Sequence, residues 1–255
     1  MAFFSLPRFT AFITLILLLS PTSSIVKAVL DPDCAPGGNF DFTHWELELP
    51  IGTSTDPDTP ETIKSASLQG CDGFQNLSLF YTESSDVPGS PASSGCVTTA
   101  NSDHCRTELH EESPSSWDPN ATLNRLQVTL AVAVADNSEH GTVIGQIHIV
   151  TSVSNKPVCL LYCDQSGNIA IGVEQTLSGD DTVTTQLGNI PLGTMFSYEL
   201  DYSLNVLQVG INGNFTTLST FSLDGPASYF KVGNYNLGST PSEVHFFNIT
   251  LEHEV

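Results

Sequence analysis

Three separated stretches of the chain set side chains that can move protons or grip anions at alternate positions. Side chains at i and i+2 share one face of a β-strand. On that rule Arg106, Glu108 and His110 point one way, and Thr107 and Leu109 the other. Gln146 and His148 share a face opposite Ile147 and Ile149, and Tyr229, Lys231 and Tyr235 share a face opposite Phe230 and Val232. Polar faces elsewhere are mostly Ser, Thr, Asn and Asp, so the set does not read as ordinary solvent faces of alternating strands. An arginine fork, an amide, an imidazole and a phenol are the groups needed to hold a carboxylate and move a proton beside it.

The elements that must carry these faces start after the first 28 residues. Arg8, an apolar run from Phe9 to Leu19 and the pattern Val26-Lys27-Ala28 read as a secretory signal peptide cut after Ala28. The run is too short for a membrane span, which needs roughly 20 apolar residues. In residues 29–255 five cations, Lys64, Arg106, Arg125, Lys156 and Lys231, stand against all 28 acids, a net charge of −23. Six cysteines follow the cut, an even count suited to an oxidising compartment and enough for three disulfides. Cys96 and Cys105 are the expected local pair. Cys159 and Cys163 are not expected to pair with each other, because four residues of strand separate them by roughly 13 Å, beyond the ~7 Å limit for bridged Cα atoms. No paired CxxC spacing points to zinc. Sequons at Asn76, Asn120, Asn214 and Asn248 are glycan acceptors on an exported chain.

Helical periodicity is scarce, whereas alternation with turn signals recurs along residues 29–255. Strands are expected over 44–49, 125–134, 142–151, 158–163, 169–174, 196–202, 207–211, 215–219, 229–234 and 243–252. Asn212-Gly213 suits a type I′ hairpin turn and Ser166-Gly167-Asn168 a short bulged loop. Residues 52–67 and 84–101, crowded with Gly, Pro, Ser and Thr, read as long loops. One all-β domain over 29–255 follows, a sandwich or jelly roll of short antiparallel strands.

The stretches RTELH (106–110), QIH (146–148) and YFKVGNYN (229–236) resemble the three signature regions of the alginate lyases of polysaccharide lyase family seven, and HWELELP (44–50) is similar to that family's first strand. The motifs occur in the family's order and bracket nearly all of residues 29–255. The resemblance implies a β-jelly roll whose concave sheet forms a cleft for an acidic polysaccharide. Two positions depart from the family pattern: His110 stands where a second arginine is usual, and Leu237 where a glutamine is usual. The first removes a charge from the floor of the cleft and leaves glucuronan, a polyglucuronate, as the alternative substrate to alginate.

Cleaving a polyuronate by β-elimination removes the C5 proton beside a carboxylate and expels the oxygen at C4, so a site must neutralise the carboxylate and stabilise the developing enolate. Arg106 and Gln146 are the residues for that task, His148 is the base, and Tyr235 protonates the leaving oxygen or serves as base and acid in turn. Glu108 orients Arg106, and Glu108, His110, Tyr229, Lys231 and Asn236 complete the substrate contacts. A glycoside hydrolase needs two carboxylates flanking the bond, and these faces offer only Glu108. A lectin-like module would display stacking aromatics, yet Trp45 and Trp117 lie outside the three stretches. No metal or organic cofactor is needed: His104 and His110 with Glu111 and Glu112 lack a rigid ligand spacing. The expected partner is an anionic polysaccharide met by a monomer, with neither nucleic acid nor membrane involved.

Overall fold

The computed structural model of the chain describes residues 30–82, 96–100, 102–179 and 181–254. The expected signal peptide and most of the expected 84–101 loop lie outside the described residues. Among those described, thirteen strands follow in chain order: β1 (Trp45–Gly52), β2 (Pro60–Ile63), β3 (Arg106–Glu111), β4 (Leu123–Val134), β5 (Thr142–Ile149), β6 (Pro157–Cys163), β7 (Asn168–Glu174), β8 (Thr182–Asn189), β9 (Phe196–Ser203), β10 (Val206–Ile211), β11 (Asn214–Leu218), β12 (Ser228–Tyr235) and β13 (Glu243–Glu254). They build a β-jelly roll of two antiparallel sheets, a large one ordered β2-β1-β3-β12-β5-β6-β7-β8 and a small one ordered β11-β10-β9-β4-β13.

Alternation explains why the two sheets stack. Along β9 buried and half-buried residues alternate without a break, and β4 alternates over most of its length. Leu126, Val128, Leu130, Tyr198 and Leu200 from the small sheet meet Leu47, Leu49, Ile147, Phe230 and Val232 from the large one in a single core. Trp45 and Trp117 both belong to that core. At the edge of it the Glu111 carboxylate accepts from Trp117 Nε1 at 2.9 Å and from the backbone N–H of Phe230 at 2.9 Å, and meets His253 Nε2 of β13 at 2.7 Å. One buried acid thus ties the large sheet to the last strand of the small one.

Two strands went unanticipated, and both are sheet edges. β2 starts on a proline in a Thr- and Asp-rich stretch, and edge strands tolerate such residues. β8 has no buried residue, so neither of its faces shows an apolar stripe. Asn212 and Gly213 have φ of 49° and 79°, which the type I′ turn between β10 and β11 requires. Two disulfides form among the described residues, Cys34–Cys71 and the expected Cys96–Cys105. The third that the cysteine count allowed does not: Cys159 and Cys163 are free and buried. Lying i and i+4 on β6, both point into the core, where burial pushes each thiol up to about 12.

Candidate active site

The three stretches converge because β3, β12 and β5 are hydrogen-bonded neighbours. The register sets Tyr235 opposite Arg106, Gly233 opposite Glu108 and Lys231 opposite His110. On the other side of β12, Lys231 lies opposite Gln146 and Tyr229 opposite His148. β1 adds Glu48 opposite Glu108 and Glu46 opposite His110. Directly paired residues share a face, so the outer face of the large sheet carries one continuous patch of ionisable and amide side chains.

Glu108 sits at its centre and is 1% exposed. Gln146 Nε2 donates to its Oε1. Its Oε2 faces three cationic or donor groups: His110 Nε2 at 3.3 Å, Lys231 Nζ at 3.5 Å and Arg106 at 3.8 Å. Burial alone would raise this carboxyl, but Lys231, His110 and Arg106 together outweigh it and hold the group well below the usual carboxylate range. Burial acts on Lys231 too and lowers it, against the pull of Glu108. Arg106 Nε is 3.4 Å from Glu48 Oε1. These are charge contacts longer than good hydrogen bonds. Arg106 Nε, Glu108 Oε2 and His110 Nε2 are all buried, and none has a hydrogen-bond partner.

His148 has a defined tautomer. Its Nδ1 lies 2.7 Å from the carbonyl oxygen of Ile149, which can only accept, so Nδ1 carries the hydrogen and Nε2 keeps a free lone pair. Burial first, and then the Lys231 charge, push the ring down to about 3, so it is neutral across the physiological range. Its ring stands 5.2 Å from that of Tyr229, whose phenol burial pushes upward. At the other end of the patch the Arg106 guanidinium lies 4.0 Å from the ring centroid of Tyr235, a cation–π contact, and Ser102 Oγ is 3.1 Å from the Tyr235 hydroxyl. Gly233 makes the packing possible, because a Cβ there would lie 2.4 Å from the Thr107 carbonyl oxygen. The pairing of β12 with β5 slips between Val232 and Tyr235, next to this close approach.

Arg106, Glu108, His110, Gln146, His148, Tyr229, Lys231 and Tyr235 therefore share the patch. Asn236 does not join them. It is 1% exposed, and its amide donates to Thr240 O at 2.7 Å and Ser242 Oγ at 3.0 Å, which spends it on the turn before β13. Two residues at the site were missed. Glu48 was legible only as an acid in an alternating strand, since nothing local says that β1 pairs with β3. Ser102 lies in a loop, where no periodicity marks a face.

Over residues 40–253 the chain matches the family described as alginate lyase, and it belongs to that family. It is a polysaccharide lyase. The fold is that of the alginate lyase A1-II′, a member of polysaccharide lyase family 7, at 25% identity and a TM-score of 0.71, with 86% of this chain and 99% of that one covered. A second A1-II′ structure, in complex with a substrate abbreviated GGMG, is 26% identical with a TM-score of 0.73, covering 87% and 97% of the two chains. The alginate lyase PA1167 from Pseudomonas aeruginosa shares the fold at 23% identity and a TM-score of 0.68, over 84% of this chain and all of that one. No curated protein matches in a sequence comparison.

Proposed function

We propose that this lyase cleaves alginate by β-elimination on the outer face of the large sheet. The observation that carries the reading is the unspent hydrogen-bonding capacity of the floor: Arg106 Nε and His110 Nε2 are buried beside Lys231 without a hydrogen-bond partner, their nearest carboxylate oxygens standing 3.4 and 3.3 Å away. An unpaired buried donor is costly, roughly 1–3 kcal/mol. A uronate carboxylate laid across Arg106, Lys231 and the second N–H of Gln146 relieves that cost and is itself neutralised, which makes C5–H acidic enough to remove. The solved A1-II′ complex with GGMG lends the substrate class further support.

His148 Nε2 holds the lone pair for the C5 proton. In the free protein it is a weak base, and an arriving carboxylate, opposing the Lys231 charge, strengthens it. The C5–H electron pair becomes the C4–C5 double bond, and the C4–O bond breaks toward the leaving oxygen. Tyr235 gives its proton to that oxygen and keeps the electron pair, or takes both proton steps in turn where they fall on one face of the sugar. Glu108 holds Arg106, Lys231 and Gln146 in place. The enzyme acts as an exported monomer, its leader being residues 1–28 and its catalytic domain residues 29–255.

The test is ultraviolet absorbance of unsaturated uronate ends, followed separately on alginate, glucuronan and a neutral glucan. Absorbance rising fastest on alginate is expected. A faster rise on glucuronan would establish the second reading, which His110 favours by carrying no permanent charge. Chain shortening without absorbance would mean hydrolysis and end the proposal.

A further inference from the structure

Tyr235 carries the leaving-group step above, and its hydroxyl is not left to find its own position. Ser102 Oγ lies 3.1 Å from it. The same Oγ accepts the backbone N–H of His104 at 3.2 Å. A serine hydroxyl has one hydrogen and two lone pairs. With one lone pair engaged by His104, its hydrogen is free to turn toward the tyrosine oxygen. The segment that presents Ser102 is anchored at both ends. The Cys96–Cys105 disulfide closes it. The Val97 N–H donates to Pro50 O of β1 at 3.0 Å, and the Asn236 N–H donates to Cys105 O at 2.9 Å, continuing the pairing of β12 with β3. The His104 ring stands edge-on 6.2 Å from that of Tyr235. Nothing in the core requires this contact, since Ser102 and Tyr235 are both only half-buried.

We infer that Ser102 is a positioning residue for the elimination: it orients the Tyr235 hydroxyl toward the leaving oxygen and donates to the phenolate that remains when the proton has gone. Arg106, over the ring, shares that negative charge from the other side. The inference rests on the role proposed for Tyr235. It assigns to the disulfide-closed segment 96–105 a part in the reaction beyond holding the chain together.

The experiment compares Ser102→Ala, Ser102→Thr and Tyr235→Phe for kcat, KM on alginate and melting temperature. Ser102→Ala is expected to lose roughly ten- to a hundredfold in kcat, the size of a hydrogen bond to a charged group, with KM within twofold of wild type and an unchanged melting temperature. Ser102→Thr keeps the hydroxyl and is expected to recover most of the loss, which a role in loop packing alone would not produce. Wild-type kcat in Ser102→Ala alongside an inactive Tyr235→Phe overturns the inference and leaves the proposed function standing. A raised KM with unchanged kcat also overturns it, since Ser102 would then touch substrate directly, as does a Thr variant as slow as the Ala variant. Should the Ala variant melt early, Ser102→Cys, which preserves volume but donates poorly, replaces it under the same criteria. An active Tyr235→Phe removes the phenol from the mechanism, and the proposed function fails at that residue.

Discussion

His148 shows how one side chain's surroundings set both its chemistry and its effect on stability. Its proton affinity is lowered from 6.5 to about 3, chiefly by burial. Above about 6.5 the ring is neutral folded or unfolded, and it contributes no pH dependence. Between 6.5 and about 3 the unfolded chain takes up a proton that the folded protein refuses, so stability declines as pH falls. Below about 3 both states are protonated, and the decline from this group stops. The slope is at most about 1.4 kcal/mol per pH unit. Glu108 adds to acid lability from another direction: its depressed carboxyl contributes stability above the ordinary carboxylate range, roughly pH 4.3, that is lost as pH falls below it. Denaturant midpoints measured from pH 7 to 4.5 are therefore expected to drop in wild type and to run flatter in His148→Gln. Parallel curves would show that the imidazole titrates freely. Arg106, Gln146, His148 and Tyr235 could be singled out because proton-handling groups are scarce on the other faces of so acidic a chain. Asn236 falls outside the patch because alternation ends with β12 at Tyr235, and its amide belongs to a turn.

At the scale of elements, the decisive contact is the approach of β12 to β3. Gly233 allows it, and the unbroken β12–β3 register sets Tyr235 opposite Arg106, whose guanidinium lies over its ring. In Gly233→Ala the new Cβ meets backbone rather than a flexible side chain, with Thr107 O at 2.4 Å and Glu108 Cα at 2.6 Å. The strands must part, at a cost of about 1–3 kcal/mol typical of overpacking. Displacement of a proton donor by even an ångström lowers turnover roughly a hundredfold. The variant, assayed well below its melting temperature, is expected to lose far more kcat than its stability change accounts for. Wild-type kcat in a folded Gly233→Ala would show that Tyr235 is placed by something other than this approach. Most strands were legible from period-two alternation with turn signals between them. The edge strands β2 and β8 were not, because strands with no fully buried face show no such pattern.

For the whole molecule, the quantity that matters is charge. The chain carries a formal −21, yet the substrate proposed for it is a polyanion. Long-range repulsion opposes encounter and is screened over about 8 Å at physiological ionic strength. Arg106 and Lys231 are buried, so moderate salt screens a charge laid against them less than it screens the surface. Accordingly kcat/KM on polymer is expected to rise as salt is added from very low concentration, then level or fall, whereas binders dominated by local cations lose affinity steadily. A monotonic fall in wild type would place control of association in the cleft cations. The acidic balance itself, the all-β class, the faces of the three signature strands and the family resemblance were determined by sequence alone, because each rests on composition or on relations between residues a few positions apart. Tertiary structure decided what depends on distant partners. It placed β3 between β1 and β12 and so brought Glu48 against Arg106, it left Cys159 and Cys163 unpaired in the core, and it set Ser102 against Tyr235. Strand alternation states which way a side chain points, but the neighbour it meets is fixed only when segments more than a hundred residues apart choose their register and bury their shared apolar face.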